Sequence, residues 1–131
     1  MLLGADTNIV VRLIVEDDTA QVDRILALLS HHELFVPLTV MLEAEWVLRS
    51  RYRLSRMEIA TAFAALCRLE SIWVEEAGKL TWAIDQYRLS GDFGDFVHIL
   101  SCDDCEGFAT FDAALQRAAS TDWPVSVMDV P

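Results

Sequence analysis

Short apolar runs alternate along this chain with longer amphipathic segments, and this alternation restricts the fold more than any other feature of the sequence. One or two helical segments separate each run from the next, which predicts the order β-α-α-β-α-α-β-α-α-β-α-β. Strands that alternate with helices in this way form right-handed crossovers and a mainly parallel sheet with helices on both faces. We therefore expect an α/β fold whose strands are Leu2–Leu3, Leu34–Val36, Ser71–Val74, Phe108–Phe111 and Val125–Met128.

Capping residues predict where several helices begin and end. Ser55–Glu58 has the spacing of a capping box, and Asp17–Thr19 offers N-cap side chains to the helix that follows. Thr39 is expected to cap a long helix that runs to about Arg53. Gly91 is expected to end the helix that begins near Leu80, as a glycine just beyond a helix commonly does.

Size and composition predict one globular domain over residues 1–131. With 53% hydrophobic residues, the chain would collapse and bury apolar surface despite its net charge of -11, so a disordered chain is excluded. The longest apolar stretches, such as Ile9–Val15 and Val36–Leu42, are too short to cross a bilayer, so no membrane association is expected. No secretory signal is visible, and three cysteines make no disulfide framework, which favours a cytoplasmic protein. The acidic charge disfavours non-specific binding to nucleic acid, although bound metal ions could still provide positive charge to a nucleic-acid enzyme.

Two aspartates follow predicted strands directly. Asp6 comes after the first strand, and Asp112 comes after Phe108–Phe111. Ligands of open parallel sheets bind outside the carboxyl ends of the strands, where both side chains would lie. For each aspartate alone, a helix cap is an equally good interpretation.

Two helical segments add further carboxylates. Glu43 has apolar neighbours one turn away, which predicts a carboxylate that emerges from an apolar face and needs a cation. Glu45 has Arg49 four residues later and is predicted to form a solvated surface pair with it. Asp95 repeats the pattern of Glu43, and Asp92 is expected to cap the helix or to approach the same cation. Four carboxylates without a histidine triad or cysteine cluster favour Mg²⁺ or Mn²⁺, and two such ions could activate water and stabilise the leaving oxygen of a phosphodiester.

Four segments that carry these residues resemble, in order, the motifs of PIN-domain ribonucleases, and most closely those of VapC toxins from bacterial toxin–antitoxin pairs. They are Ala5–Val10, Met41–Ser50, Asp92–Asp95 and Thr110–Asp112. The resemblance covers nearly the whole chain. It implies a three-layer α/β/α fold, Mg²⁺- or Mn²⁺-dependent cleavage of RNA, homodimers, and inhibition by a cognate VapB antitoxin.

Carried over position by position, the resemblance assigns catalysis and metal binding to four acidic residues: Asp6, Glu43, Asp95 and Asp112. Of these, Asp6 and Asp95 are the best candidates for direct metal ligands. Asn8 and Thr110 match the polar residues that support the site, and Asp92 joins them as a supporting residue. The chain departs from the family at His98, where an aliphatic residue is usual. His98 is either a core or rim histidine or a proton carrier beside the metal-bound water.

Other interpretations of the sequence remain open. A phospho-receiver-like domain binds Mg²⁺ in a similar fold but needs an acidic pair after the first strand and a lysine after a late strand, whereas the only lysine here is Lys79. A PIN fold retained only as an inactive binding module is a second alternative. Cys102 and Cys105 could form a zinc site with His98, but idle thiols are favoured. An arginine cluster between positions 49 and 56 either solvates a helix end or guides RNA.

Overall fold

The computed structural model describes residues 1–131 and has five strands and seven helices in the order expected from the sequence. Two helices separate each of the first three strands from the next, and one helix separates the last two strands. The elements are β1 (Leu2–Gly4), α1 (Thr7–Val15), α2 (Thr19–Leu29), β2 (Glu33–Val36), α3 (Leu38–Ser50), α4 (Arg56–Leu66), β3 (Ile72–Val74), α5 (Ala77–Leu89), α6 (Phe93–Leu100), β4 (Phe108–Thr110), α7 (Ala113–Ala118) and β5 (Val127–Asp129).

Every strand pairing is parallel, as the alternation of strands and helices predicts. The strands form two ladders, one in the order β1-β2-β3 and one that pairs β4 with β5. In the first ladder Leu34 lies between Leu3 and Ile72, and in the second Phe108 pairs with Val127. The mixed α/β fold with a parallel sheet is therefore confirmed.

One hydrophobic core of 26 buried residues connects the helices with both ladders. Helix α6 contributes more to it than its length suggests, because five of its eight residues are buried. The residues of α6 that remain at least partly accessible are Gly94, Asp95 and His98. Packing of the apolar side chains therefore fixes the rotation of α6 about its axis and aims Asp95 out of the core.

Several helix and strand limits differ from those that the sequence predicted. Helix α3 begins at Leu38, because the carbonyl of Pro37 accepts hydrogen bonds from two following amides, so Thr39 lies inside the first turn and caps nothing. The helix ends at Ser50, and Arg53 takes a left-handed conformation with φ 56°. Helix α5 begins at Ala77, before the predicted Leu80. The last strand is Val127–Asp129 instead of Val125–Met128, since its pairing with β4 begins at Val127, and Val125 lies in the bend before it.

The capping signals at Ser55 and Gly91 are confirmed. Ser55 and Glu58 exchange both hydrogen bonds of a capping box, at 3.1 Å and 3.0 Å. Gly91 follows α5 with φ +94°, a conformation that side chains with a Cβ rarely adopt. A Cβ at this position would lie 2.7 Å from Cζ of Phe96, so the turn into α6 requires glycine for both reasons.

None of the seven helices combines the length and the apolar character that a bilayer-spanning segment requires.

Candidate active site

Three of the acidic residues cap helices. Oδ1 of Asp6 accepts a hydrogen bond from the backbone N–H three residues later (3.2 Å), and Oδ1 of Asp112 does the same (3.1 Å). Oδ1 of Asp92 accepts from the N–H of Gly94 at 2.7 Å. The helix-cap interpretation is therefore confirmed for all three. Each cap uses Oδ1 alone, so the Oδ2 atom of each carboxylate stays free for another ligand.

Asp95 lies among other carboxylates in a half-buried position on the first turn of α6. Burial raises the pKa of Asp95 above its usual value, and the negative charges of Asp92 and Asp112 raise it further. His98 opposes this shift. The start of α6 and the carboxyl end of β4 thus bring three carboxylates close enough for the charges of Asp92 and Asp112 to act on Asp95. We call these three residues the acidic cluster.

The other two predicted acidic residues lie outside this cluster, Glu43 on α3, which packs against α6, and Asp6 at the start of α1, which packs against α3. Helix α3 contacts both α1 and α6. Leu42 of α3 lies beside Gly94 of α6, since a Cβ atom on Gly94 would be in van der Waals contact with Cδ2 of Leu42, at 3.8 Å. Glu43 is therefore on the part of α3 that borders the first turn of α6, and its side chain is exposed. Asp6 begins α1, at the end of β1.

A groove of about 380 Å³ starts at Asp6 and runs between α1 and α2. Asn8, one of the predicted supporting residues, lies on its wall. The remaining lining residues are Ile9, Arg12, Gln21, Arg24, Ile25 and Leu28. The groove places polar and cationic groups next to the carboxylate of Asp6.

Thr110 supports the site through the backbone that follows β4. Its hydroxyl oxygen accepts a hydrogen bond from the N–H of Asp112 at 3.0 Å, and its carbonyl accepts one from the side-chain amide of Gln116 at 2.9 Å. These two bonds hold the turn from which Asp112 projects. Thr110 thus positions the carboxylate of Asp112 through its backbone.

The two glutamates of α3 are placed the opposite way from the sequence prediction. Glu45 is buried, with 6% of its surface exposed, and Glu43 is exposed. The predicted pair with Arg49 forms, at 2.7 Å, but it is not a solvated surface pair. The physical reason is that the buried stripe of α3 passes through positions 41, 44, 45 and 48, so Glu45 faces the core and Glu43 does not.

Glu45 belongs to a buried polar network that the sequence analysis missed. Its Oε2 atom accepts a hydrogen bond from the hydroxyl of Tyr87 on α5 at 2.9 Å. Burial first, and this bond second, raise the pKa of Tyr87 well above its usual value. Glu45 has apolar residues at helical spacing, Met41 four positions before it and Leu48 three after it, but Glu43 has such neighbours too, so the sequence pattern fitted either face.

Arg56 connects this network to the acidic cluster. Its guanidinium lies over the ring of Tyr87, 4.6 Å from the centroid, and donates hydrogen bonds to the carbonyls of Tyr87 (2.8 Å) and Gly91 (2.7 Å). Gly91 directly precedes Asp92, the cap of α6. Arg56 therefore fixes the turn that carries the acidic cluster, and no spacing in the sequence pointed to this role.

A comparison with protein families finds that the PIN domain matches residues 5–120 of the chain. The match covers most of the chain and includes all four predicted acidic residues. The chain belongs to the PIN domain family. PIN domains are generally nucleases, and they typically use divalent metals. Comparisons with curated proteins and with solved structures give no significant match.

The donors of this PIN domain fit a magnesium-type cation better than zinc. No three His, Cys, Asp or Glu side chains are close enough together to hold a metal by themselves. Mg²⁺ does not need such a cage, because it keeps several waters and binds through one or two carboxylates together with phosphate oxygens. Burial and the charges of Asp92 and Asp112 raise the pKa of Asp95, and a cation beside these carboxylates would offset their mutual repulsion. Of the four predicted ligands, Asp95 and Asp112 lie in the acidic cluster and could hold such a cation together with phosphate oxygens, whereas Asp6 and Glu43 lie outside this cluster, at the start of α1 and on α3.

The remaining candidate residues of the PIN domain have simpler environments. His98 is exposed on α6. Cys102 and Cys105 follow the end of α6 as free thiols, and burial raises the pKa of Cys102. In the arginine cluster, the guanidinium of Arg51 lies 5.7 Å from the ring centroid of Trp46.

The buried position of Glu45 predicts a large difference between two identical substitutions on α3. Glu45→Gln removes the charge that pairs with Arg49 and binds Tyr87, so we expect a loss of about 1–3 kcal/mol in the free energy of unfolding. Glu43→Gln, at an exposed position, should change it by no more than about 0.5 kcal/mol. Urea unfolding of both variants measures the difference, and equal losses would contradict the assigned helix face.

The raised pKa of Asp95 predicts a pH-dependent gain in stability for Asp95→Asn. The folded protein holds this proton more tightly than the unfolded chain does, so ionisation of Asp95 costs stability. That cost is absent below the unfolded-state pKa and complete above the raised folded-state pKa. Urea unfolding at a series of pH values should show Asp95→Asn more stable than the wild type at pH 7, with the difference vanishing as the pH falls through this window.

Asp122→Asn is the matched control, because Asp122 is exposed and its carboxylate makes no hydrogen bond. We expect its stability to follow that of the wild type at every pH. A difference between Asp95→Asn and the wild type that stays constant with pH would contradict the electrostatic account of Asp95.

Proposed function

We propose that this PIN domain is a Mg²⁺- or Mn²⁺-dependent endoribonuclease that hydrolyses RNA phosphodiester bonds. The single observation that carries the proposal is the acidic cluster, in which the pKa of Asp95 is raised by burial and by neighbouring carboxylates. Such a shift at a partly accessible position is typical of functional sites. The family match supports nuclease chemistry, and the motifs around the four acidic residues resemble those of enzymes that cut RNA.

In this proposal Asp6, Glu43, Asp95 and Asp112 are the catalytic and metal-binding residues. A divalent cation held by them would supply an activated water and stabilise the charge of the leaving oxygen. Capping keeps Asp6 and Asp112 in fixed orientations through Oδ1 while their Oδ2 atoms point away from the helix amides. Ligands that are already oriented lose little freedom on binding, which favours precise positioning of the scissile phosphate.

The supporting residues in this proposal act through these carboxylates. Asp92 caps α6 and holds the first turn on which Asp95 lies. Thr110 fixes the backbone of Asp112, and Asn8 presents an amide at the groove beside Asp6. An amide or hydroxyl at such positions can bind a phosphate or ribose oxygen without adding charge.

The proposed activity predicts that metal removal and loss of Asp95 have the same effect. End-labelled single-stranded RNA should be cleaved with Mg²⁺ or Mn²⁺, and EDTA should abolish cleavage reversibly. Asp6→Asn and Asp95→Asn should each lower the rate by roughly 100-fold or more, because each removes a charged ligand. Gel electrophoresis of the RNA products measures the rates.

Asp122→Asn is again the control, because Asp122 is exposed and its charge is not among those that shift the pKa of Asp95. Its cleavage rate should equal that of the wild type. Mn²⁺ should also raise the midpoint of thermal unfolding more for the wild type than for Asp95→Asn, since only the former retains the full binding site. Cleavage at the wild-type rate by Asp95→Asn would refute the proposed site.

We further propose that the protein is the toxin of a VapBC-type pair and acts as a homodimer. The resemblance of its motifs to VapC toxins supports the pairing with a VapB-type antitoxin. Several large apolar side chains are exposed and support the dimer, since association would bury them: Leu26, Trp46, Met57 and Leu69. The acidic site offers a simple route to inhibition, in which an arginine or lysine of the antitoxin pairs with the carboxylates.

Two measurements test this finer proposal. Light scattering at tens of micromolar should give twice the 14.7 kDa mass of one chain, and a monomer would refute the dimer while leaving the nuclease proposal intact. Addition of the protein encoded beside this gene should suppress RNA cleavage. Replacing the basic residues of that protein by alanine should weaken the suppression, and unchanged suppression would refute pairing with the carboxylates.

A further inference from the structure

Phe111 is an exposed aromatic residue directly beside the acidic cluster. Its side chain is 82% exposed, more than any other large apolar side chain in the protein, and it precedes Asp112 in the sequence. The two exposed tryptophans have partners within the chain: the indole N–H of Trp73 donates to Glu33, and Trp46 lies against Arg51. The ring of Phe111 pairs with no other aromatic ring and does not belong to the hydrophobic core.

The backbone on both sides of Phe111 is held firmly. Thr110 pairs with Asp129 of β5, and its hydroxyl binds the N–H of Asp112. Asp112 in turn caps α7. Phe111 therefore presents a free ring from a fixed backbone, so that little backbone freedom would be lost when a flat ligand binds to the ring.

The charge of the protein determines which ligand this ring suits. A chain with a net charge of -11 and an acidic cluster beside the ring repels the phosphates of RNA. Binding near Asp112 therefore benefits from an attraction that does not depend on charge. Stacking of a nucleobase on an aromatic ring is such an attraction, and it is worth roughly 5- to 150-fold in affinity per base.

We propose that Phe111 forms a subsite that binds one unpaired nucleobase of the RNA by stacking, next to the phosphodiester at the acidic cluster. The inference rests on the proposed ribonuclease activity and adds a recognition element to it. Phe111 is a positioning residue for the substrate in this account, because it touches the RNA but takes no part in bond cleavage. It also explains how an acidic protein could select single-stranded RNA, whose bases are free to stack.

The test compares Phe111→Ala, Phe111→Leu and Phe111→Trp with the wild type in single-turnover cleavage of an end-labelled, mixed-sequence, single-stranded RNA. For Phe111→Ala and Phe111→Leu we expect the half-saturating protein concentration to rise roughly 5- to 150-fold with little change in the maximal rate. Phe111→Trp should bind at least as tightly as the wild type. Trp73→Ala, on the edge strand β3, is the control for removal of an exposed aromatic ring and should leave both values unchanged.

A second arm identifies the contact as a nucleobase. The same RNA is prepared with one abasic nucleotide at each position around the mapped cleavage site. At the position whose base stacks on Phe111, removal of the base should weaken binding to the wild type. The wild type should then bind this RNA no more tightly than Phe111→Ala does. At the other positions the advantage should remain.

Three outcomes would overturn the inference. If Phe111→Ala had the same half-saturating protein concentration as the wild type, the subsite would be excluded and the ribonuclease proposal would remain intact. An advantage of the wild type that survives base removal at every position would show that Phe111 does not contact a base. A lower molecular mass of Phe111→Ala in light scattering would assign the ring to a contact between protein chains. If the wild type does not cleave RNA, the proposed function fails and this inference fails with it.

Discussion

The packing of α6 is the constraint on which the candidate site depends. Its apolar side chains face α3, α5 and the core, and only Asp95 and its polar neighbours reach the surface. Burying these side chains is worth roughly 1.5–3 kcal/mol each, so the core readily tolerates the repulsion between nearby carboxylates. The core thereby holds Asp95 close to Asp92 and Asp112, an arrangement that electrostatics alone would oppose. Stability elsewhere in the fold thus maintains a concentration of negative charge at the candidate site.

The acidic residues also show how structural and functional roles can share one side chain. Capping by Asp6, Asp92 and Asp112 satisfies backbone amides that the helix itself leaves unpaired. Because a carboxylate has two oxygens, the same group can cap a helix and bind a ligand. The choice between cap and ligand that the sequence posed for Asp6 and Asp112 is therefore not exclusive. A cation would compete only with solvent for the second oxygen of each side chain.

The order of the elements and the parallel pairing were predictable because they depend on patterns local in the sequence. Gly91 and the Ser55 capping box were predicted correctly for the same reason. The face of α3 was not, since apolar residues lie on both sides of Glu43 and only tertiary packing decides which side is buried. Arg56 was also missed as a contact of the turn before α6, because its partners are 31 and 35 residues away in the sequence.

The contact made by Trp123 has a consequence for the motions of the protein. Residues 108–131 make their hydrogen bonds within their own segment, and they join the rest of the molecule through apolar packing, with the Trp123 ring 5.3 Å from Trp82 and 6.0 Å from Phe96. We expect such a segment to open as one cooperative unit at a lower free energy than global unfolding. Each opening would move Asp112 away from Asp95. The rate of hydrogen exchange of the backbone amides in β4 and β5 would therefore report how often these two carboxylates separate.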